Sequence, residues 1–413
     1  MQRLPGFRDF YPEDCAFRNY IFETWRGVAR SFGFQEYDGP TIEPTELYKK
    51  KSGDELKAQL FRFVDQGGRD VCLKPEMTPT LARLVAARER EFKKPIKWFS
   101  IAPFFRFEKP QKGRLREFYQ INCDIIGDRS PAADAELIAL AVALHQAFGL
   151  TQEDFFVRLN NRDLWADFLK NHHQPDERLP EFLAIIDKLE REDPDVTARK
   201  LGAFGITLDQ VRDFLRTPAE SIPGFGSLLQ ELKWRDLEPF VQLDLTIVRG
   251  LDYYTGWVFE VFDRKKENRA LCGGGRYDHL IALISDGAVD LPATGFAIGD
   301  VTFGNLVREV DHSRARMEQA LRSRLKAFLV IADERFRAAA LQLAHSLRAT
   351  GRTVDYSFHP AKVGKQFQLA ESLGAEYALV IGQEWPKITV KNLANRTEEV
   401  ISKDELPARI SQS

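Results

Sequence analysis

The densest cluster of reactive side chains is the segment Arg106-Phe-Glu-Lys-Pro-Gln-Lys-Gly-Arg-Leu-Arg116. Five of its eleven residues are basic and one is acidic, so the segment carries a net charge of +4. Pro110 and Gly113 predict a hairpin loop between two strands. Because arginine presents a forked set of donors to phosphate, such a loop suits a polyphosphate or the end of a nucleic acid. A solvated basic loop without a ligand is the alternative interpretation.

Two further segments place charged residues in apolar or glycine-rich surroundings. In Ile247-Val-Arg-Gly-Leu-Asp-Tyr-Tyr-Thr-Gly-Trp-Val-Phe-Glu260, a buried Arg249 needs an anionic ligand or a partner. An ion pair with Asp252 across a tight turn is equally consistent with this pattern. In Cys272-Gly-Gly-Gly-Arg-Tyr-Asp278, the glycines allow close approach of the backbone to a ligand, and a bulged strand is the alternative.

Two more segments precede expected helices. In Lys74-Pro-Glu-Met-Thr78, Glu76 is suited to an ammonium group, and capping of the next helix by Glu76 or Thr78 is equally consistent. In Ala293-Thr-Gly-Phe-Ala-Ile-Gly-Asp300, the small residues favour close packing. The histidines are scattered apart from His172-His173, so they indicate no metal site. The sequence contains no Gly-x-Ser-x-Gly motif, and nucleophilic catalysis is not indicated.

The elements that must position these residues follow from periodicity and turn signals. We predict strands from aromatic and β-branched content at Phe61–Cys72, Trp98–Phe107 and Glu117–Ile126. Sheet structure is predicted to return within Val241–Phe262 and Ala270–Arg276. Helices are predicted at Phe17–Phe32, Thr78–Lys93 and Ala132–Phe148. From Ala327 onward strands and helices alternate, which predicts a separate small α/β domain.

Composition bounds the class of protein. The chain has 413 residues, 44% of them hydrophobic and 29% charged, which is typical of a globular protein with several domains. A net charge of -2 excludes a globally basic nucleic-acid binder but not a local basic patch. No run of 18 apolar residues and no secretory signal are found, and the four cysteines form no CxxC pair. A cytoplasmic protein is therefore expected.

The order of these segments resembles that of the histidyl-tRNA synthetases, a family of class II aminoacyl-tRNA synthetases. Pro40 with Thr41-Ile-Glu-Pro44 resembles motif 1, and Phe105-Arg-Phe-Glu108 through Arg116-Glu-Phe-Tyr-Gln120 resembles motif 2. Arg249-Gly-Leu-Asp-Tyr-Tyr254 and Gly274-Gly-Arg-Tyr-Asp278 resemble the two histidine-specific signatures. Gly295-Phe-Ala-Ile-Gly299 resembles the start of motif 3. The resemblance covers the chain from Gly6-Phe-Arg-Asp9 to its C-terminal part.

The resemblance implies an α+β fold in which helices cover an antiparallel sheet. It implies a catalytic core in two parts, 1–163 with motifs 1 and 2 and 236–325 with the histidine signatures, motif 3 and a linker. A mainly helical insertion would occupy 164–235, and an anticodon-binding domain would occupy 326–413. The implied activity is histidine–tRNA ligation with ATP, Mg²⁺ and tRNA(His), in a homodimer formed through motif 1.

The resemblance also implies residue roles. Arg106 and Arg249 would be catalytic, at the α-phosphate of ATP and near the histidine carboxylate. ATP would contact Arg106, Glu108, Arg114, Phe118 and Arg276. Histidine would be bound by Glu76, Thr78, Arg106, Gln120, Asp124, Arg249, Tyr253 and Tyr254. The tRNA acceptor end would meet Lys109, Gln111, Lys112 and Arg116.

The chain departs from the family at motif 3. Members usually continue Gly-Leu-Glu-Arg, with the arginine on ATP, whereas this chain reads Gly299-Asp-Val-Thr302. We expect Arg276 or Arg114 to substitute, because Arg308 lies six residues along the helix and faces elsewhere. Lys109 also stands where bacterial members often have arginine.

Two other functions remain candidates at this stage. A non-catalytic relative resembling the regulatory subunit of ATP phosphoribosyltransferase would explain Thr302. The C-terminal domain and the histidine signatures argue against that relative. A nucleic-acid-binding module without activity is the other candidate, and the apolar setting of Arg249 argues against it.

Overall fold

The computed structural model describes residues 2–50, 58–189, 192–218, 221–222, 225–248, 253–265, 268–322 and 325–410. The chain forms two compact units, Met1–Met317 and Glu318–Ser413. In the described ranges, no helix is both long and apolar enough to cross a bilayer.

The first unit contains an eight-stranded sheet and a small three-stranded sheet, β2-β4-β3. The large sheet has the order β1-β5-β6-β11-β10-β9-β7-β8 and is antiparallel except at its two edge pairs, β1–β5 and β7–β8. The strands are β1 Gln35–Glu36, β2 Ile42–Pro44, β3 Arg62–Val64, β4 Asp70–Leu73, β5 Ile96–Phe105, β6 Glu117–Ile126, β7 Phe155–Asn161, β8 Val241–Leu243, β9 Thr255–Asp263, β10 Cys272–Arg276 and β11 Ala293–Gly299.

Twelve α-helices begin in the described part of the first unit. They are α1 Pro12–Ser31, α2 Thr45–Lys49, α3 Thr78–Ala87, α4 Pro131–Gln146, α5 Arg162–Asn171, α6 Leu179–Ile186, α7 Pro194–Gly202, α8 Leu208–Leu215, α9 Phe225–Lys233, α10 Leu280–Ile284, α11 Asp300–Glu309 and α12 Asp311–Leu321. Helix α1 begins before the predicted Phe17 because Pro12 is well suited to a first helical turn. It ends where Gly33 adopts φ +78° and donates its N–H to Arg30 O.

The helices between residues 162 and 233 share one apolar core with the sheet. Trp165 and Phe182 from these helices are fully buried in the same cluster as Phe155 and Val157 of β7. Removing these helices would therefore expose one side of the sheet to water.

The predicted single strand at Phe61–Cys72 is wrong, because the segment is a hairpin. Strands β3 and β4 pair antiparallel, and a turn joins them. Asp65 Oδ1 accepts the N–H groups of Gly67 and Arg69, and Gly68 has φ +76°. The two glycines and the aspartate supply the turn chemistry that reverses the chain.

The first residues of the chain form an arm that contacts the large sheet. Arg116 N and Glu117 N both donate to Gly6 O, at 2.9 and 3.2 Å. Arg8 pairs with Asp300 at 2.8 Å, and Asp300 Oδ1 accepts the N–H of Tyr119. The arm therefore closes the base of the loop between β5 and β6.

The second unit contains a five-stranded sheet in the order β13-β12-β14-β15-β16. Its strands are β12 Ala327–Ile331, β13 Val354–Tyr356, β14 Tyr377–Ile381, β15 Lys387–Asn392 and β16 Glu398–Ser402, and its helices are α13 Arg337–Ala349, α14 Val363–Ser372 and α15 Leu406–Arg409. Strand β12 is parallel to both of its neighbours, and the two remaining pairs are antiparallel. The alternating strands and helices predicted from Ala327 onward are present, and β16 was not predicted.

Candidate active site

The basic loop lies at the end of the β5–β6 hairpin, as predicted. The strands pair from Ile96↔Ile126 to Phe105↔Glu117. At the tip, Gln111 and Arg114 exchange two backbone hydrogen bonds of 3.1 and 2.9 Å, and Gly113 takes φ +77°. The glycine is required at that position because a left-handed backbone is costly for other residues.

Arg106 is held at the start of this loop by two contacts. Its Nε donates to Pro75 O at 3.0 Å, and its Cζ lies 5.4 Å from the centroid of the Phe118 ring. Within the described ranges, its terminal nitrogens bind no protein acceptor. The guanidinium is therefore positioned by the fold and can still bind an anion.

Two residues predicted to contact ATP bind each other. Arg114 Nη1 lies 2.8 Å from Glu108 Oε2, and the Glu108 side chain is mostly buried. The pair satisfies both charges in the absence of a ligand. A nucleotide phosphate that binds Arg114 in place of Glu108 would separate this pair.

Four of the eight residues predicted to bind histidine meet in one cluster of carboxylates and tyrosines, namely Glu76, Asp124, Tyr253 and Tyr254. Tyr253 OH donates to Glu76 Oε2 at 2.7 Å, and Tyr277 OH donates to Asp124 Oδ1 at 2.5 Å. The Tyr253 ring lies 5.9 Å from that of Tyr277 and 5.3 Å from that of Tyr254. Two separate acceptors thus lie in one aromatic pocket.

Asp124 is a buried acid of this cluster with a raised pKa. Its side chain is 3% exposed, and burial raises its pKa from 3.8 to about 7, although the Tyr277 hydroxyl lowers it. A Cβ added to Gly295, on neighbouring β11, would lie 2.0 Å from Asp124 Oδ1. The glycine therefore makes room for the carboxylate.

Tyr277 is a site residue that sequence reasoning did not assign. It stands in the quoted Gly274-Gly-Arg-Tyr-Asp278 signature, so the signal was present in the sequence. Its contact with Asp124 joins residues 153 positions apart, which only the pairing of distant strands reveals.

Thr78 contacts this cluster, and Gln120 lies on the same strand as Asp124, four positions before it. Gln120 on β6 pairs with Ala102 on β5 and with Gly299 on β11. Thr78 is the first residue of α3, and its hydroxyl interacts with the Tyr253 phenol. The predicted catalytic Arg249 and its neighbour Asp252 lie outside the described residues.

Arg276, which was predicted to contact ATP, is bound by groups of its own fold in the structure. Arg276 is 5% exposed, and its Nε and Nη1 pair with Asp134 at 3.0 Å and with Asp278 at 3.2 Å. Its terminal nitrogens also donate to Asp128 O and Ser130 O. All three nitrogens are thus engaged, and Arg276 fixes the start of α4 to β10.

Strand register also places Arg276 away from Thr302. Arg276 is opposite Thr294, at the beginning of β11, whereas Thr302 follows the end of that strand. Five residues of extended chain separate Thr294 from Gly299, which is roughly 17 Å. Arg276 therefore lies at the wrong end of the strand to substitute for a side chain at position 302.

A different arginine, Arg269, precedes β10 and lies near Thr302. A cavity of about 210 Å³ is lined by Lys112, Gly113, Asn268, Arg269 and Thr302. Lys112 and Asn268 both contact Glu309, at 3.7 and 2.9 Å. Sequence reasoning missed Arg269, because its proximity to Thr302 depends on the register of β10 with β11.

Thr302 also packs against the hairpin tip. A Cβ added to Gly113 would lie 3.0 Å from Thr302 Cγ2. A longer side chain at position 302 would require the tip to move in this arrangement. The small residue and the position of the loop are therefore linked.

The residues predicted to meet a tRNA acceptor end differ in exposure and in contacts. Lys109, Gln111 and Lys112 are exposed at the tip. Arg116 instead braces the loop, because its Nε donates to Glu108 O at 3.1 Å and its Cζ lies 4.3 Å from the Phe107 ring centroid.

The comparisons with known proteins agree with these motifs. The family model "Histidyl-tRNA synthetase" matches residues 6–300, and the model "Anticodon binding domain" matches residues 326–413. A histidine–tRNA ligase of Opitutus terrae is 44% identical over 99% of this chain and 98% of its own length. The chain belongs to the histidyl-tRNA synthetase family. The resemblance inferred from the motifs is thus confirmed.

Other relatives extend this result. A histidine–tRNA ligase of Haloarcula marismortui is 38% identical over 94% of this chain and 93% of its own. The crystal structure of histidyl-tRNA synthetase from Nostoc sp. PCC 7120 superposes with a TM-score of 0.78, at 23% identity, over 99% of this chain and 98% of that one. The predicted α+β class II fold is confirmed.

Proposed function

We propose that this chain is a histidine–tRNA ligase that converts histidine and ATP into histidyl-adenylate and pyrophosphate. The histidyl group is then transferred to the 3′ end of tRNA(His). The observation that most supports this proposal is the pair of buried carboxylate–tyrosine contacts beside the basic hairpin, Glu76–Tyr253 and Asp124–Tyr277. Histidine carries an ammonium group and an imidazole, and each needs an acceptor.

In this proposal the two carboxylates divide the substrate between them. The α-amino group is held by Glu76, Thr78 and Gln120. The imidazole is held by Asp124 with Tyr253 and Tyr254, and Tyr277 fixes the orientation of the Asp124 carboxylate. A side chain that cannot pair with these buried polar groups is rejected, because they would be left without partners.

The chemical step joins two anions. The histidine carboxylate attacks the α-phosphorus of ATP, an O–P bond forms, and the bond to pyrophosphate breaks. Arg106, already positioned by Pro75 O, offsets the repulsion between the carboxylate and the phosphate, and Arg249 acts with it. No general base is needed, since the carboxylate is already ionised at neutral pH.

ATP is proposed to use the base and tip of the hairpin. Phe118 stacks on the adenine, and Glu108 accepts a hydrogen bond from its amino group after leaving Arg114. The released Arg114 turns to the terminal phosphate, where Arg269 and Lys112 add positive charge from the cavity beside Thr302. The cation that is absent from position 302 is thus replaced from two other segments.

Mg²⁺ is proposed to arrive with ATP. In the ranges that the structure describes, no group of three or more His, Cys, Asp or Glu side chains could hold a metal ion. Mg²⁺ usually keeps several waters and binds through substrate phosphates with one or two carboxylates. Its binding with ATP therefore does not require a cluster of three protein ligands. When bound, the ion would neutralise charge on the departing pyrophosphate.

The tRNA and the dimer occupy other surfaces in this proposal. The acceptor end meets Lys109, Gln111 and Lys112, with Arg116 supporting the loop, and the second unit binds the anticodon region. Ile42 and Phe63 are 48% and 43% exposed on one face of the small sheet, beside Val71 and Leu73. This apolar face carries motif 1, and we propose that it contacts a second copy in a cytoplasmic homodimer.

Histidine-dependent exchange of pyrophosphate into ATP tests the proposal directly. We expect exchange with histidine, none with phenylalanine or glutamine, and subsequent charging of tRNA(His). Histidine binding without any exchange would refute the ligase and favour the regulatory relative that Thr302 first suggested.

A further inference from the structure

The second unit exposes an aromatic side chain on a rigid loop. Phe358 is 77% exposed, the largest value among the exposed large hydrophobic residues described. It lies between β13 and α14, and its ring makes an edge-on contact with Tyr356 at 5.7 Å. An exposed phenylalanine held in this way has no role in the core of its own unit.

The loop that carries Phe358 is fixed from behind by a buried glutamine. Gln366 Oε1 accepts Ile331 N, and its Nε2 donates to Ile331 O, both at 2.9 Å. The same Nε2 donates to Ala361 O at 2.7 Å. Arg337 Nη1 donates to Ser357 O at 3.0 Å. The loop is therefore tied to the carboxyl end of β12 and to the start of α13.

The position of this loop in the sheet is that of a binding site. Strands β13, β12 and β14 are parallel, and the loop leaves the carboxyl end of β13. Open α/β sheets bind ligands outside the carboxyl ends of their parallel strands. Phe358 therefore stands where this fold presents its ligand-binding edge.

The charge around Phe358 selects an anionic partner. Lys362 and Lys365 follow it and are exposed, and no acidic residue occurs between Asp355 and Glu371. The nearest acids at the end of β12 are neutralised, because Asp333 pairs with Arg335 and Glu334 pairs with Arg337. Aromatic rings that stack on bases, flanked by cations that meet the backbone, are typical of single-stranded nucleic-acid sites.

We propose that Phe358 stacks on an unpaired base of the tRNA(His) anticodon loop, and that Lys362 and Lys365 bind the adjoining phosphates. This inference rests on the proposed function, since it assumes that tRNA is the partner. Unpaired bases expose their faces only in loops and at ends, so the occupant is the loop and not the stem. Because the ring and its loop are already fixed, binding loses little conformational entropy.

The test uses the full chain with three substitutions at one position. Phe358→Ala should raise the KM for tRNA(His) in aminoacylation roughly 5–150-fold, since one base loses its stacking partner. Phe358→Trp should retain the parent KM, whereas Phe358→Leu should behave like the alanine variant, because leucine has no π-face. Val400→Ala truncates another exposed apolar side chain of the same unit, on β16, and is the control that should change nothing.

Two further readouts separate this inference from the proposed function. Pyrophosphate exchange should be unchanged in every variant, since adenylate formation does not involve tRNA. Binding of an RNA stem-loop with the tRNA(His) anticodon loop should weaken in Phe358→Ala, and Lys362→Ala should reduce its salt dependence by about 0.7 in logarithmic slope.

The opposing results are equally clear. Unchanged RNA affinity in Phe358→Ala, or full rescue by leucine, would overturn base stacking even if the parent enzyme is active. If Phe358→Ala changed the oligomeric state, Phe358 would instead belong to a protein–protein contact, and base stacking would be refuted. If the parent chain shows no pyrophosphate exchange, the ligase proposal is refuted. The stem-loop binding assay would still show whether Phe358 binds RNA.

Discussion

Replacing Asp124 by asparagine tests both the electrostatics and the specificity of the histidine site. The pKa of Asp124 is raised from 3.8 to about 7, chiefly by burial, so the folded protein holds its proton more tightly than the unfolded chain. Stability from this group is therefore fully present below pH 4 and is lost as pH rises toward 7. The shift corresponds to about 4 kcal/mol at most.

The measurable part of this effect lies between pH 5 and pH 8. Over that interval the parent should lose about 2–3 kcal/mol of unfolding free energy relative to Asp124→Asn, which has no charge to bury. Asparagine keeps the shape of the side chain and can still accept the Tyr277 hydroxyl. Urea denaturation at both pH values measures the difference, and Asp209→Asn, at an exposed carboxylate, is the control.

The same variant has a kinetic consequence. An ionised Asp124 accepts the imidazole N–H, so the KM for histidine in pyrophosphate exchange should fall as pH rises through 7. Asp124→Asn should lose this dependence and raise the KM roughly 10–150-fold, as expected for one charged hydrogen bond of about 1.5–3 kcal/mol. The reasoning would be refuted if the unfolding free energies of the two proteins changed equally with pH, or if the KM for histidine were the same in both.

The other predictions concern the residues proposed to bind ATP, the buried ion pairs of Arg276 and the proposed dimer face. Arg106→Ala should lower the rate of exchange by roughly 10²–10³ with little effect on unfolding in urea, and an unchanged rate would remove Arg106 from the chemistry. Arg269→Ala should raise the KM for ATP roughly 10–150-fold while Thr302→Ala has a mild effect, and the reverse order would contradict the proposed replacement. Arg276→Ala should destabilise the fold by about 3–5 kcal/mol in urea, because it leaves Asp134 buried without its partner, and normal stability with a raised KM for ATP would restore its predicted role. Ile42→Asp should shift the chain toward monomer in sedimentation equilibrium, and an unaltered mass would exclude this face from the dimer.

The sequence predicted the local chemistry of the site better than its long-range arrangement. Hairpin β5–β6 was recognisable because aromatic strands flank a loop with Pro110 and Gly113, and these signals act over a few residues. The sequence offered Arg276 or Arg114 as the substitute for the missing arginine and did not consider Arg269, because which end of β10 lies near Thr302 depends on strand register. Register between strands distant in sequence is set by the packing of the whole sheet.

Two other differences have separate origins, one local and one long-range. One strand was predicted at Phe61–Cys72 because of its β-branched and aromatic residues, although Asp65, Gly67 and Gly68 form a turn signal inside it. Tyr277 is in a recognised signature, but only the three-dimensional fold shows that its hydroxyl meets Asp124. Local patterns therefore predicted elements and motifs, and tertiary contacts were needed to assign partners.

The arm that contacts the base of the hairpin has a consequence for synthesis of the chain. Arg116 Nη1 donates to Pro5 O, 111 positions away in the sequence. The arm leaves the ribosome early, and its hydrogen bonds with Arg116 and Glu117 cannot form until the second strand of the hairpin has been made. Contacts between residues so distant in sequence form late, since they close a long loop. The catalytic loop is thus completed only after its strands have paired, and activity should appear after the sheet during refolding.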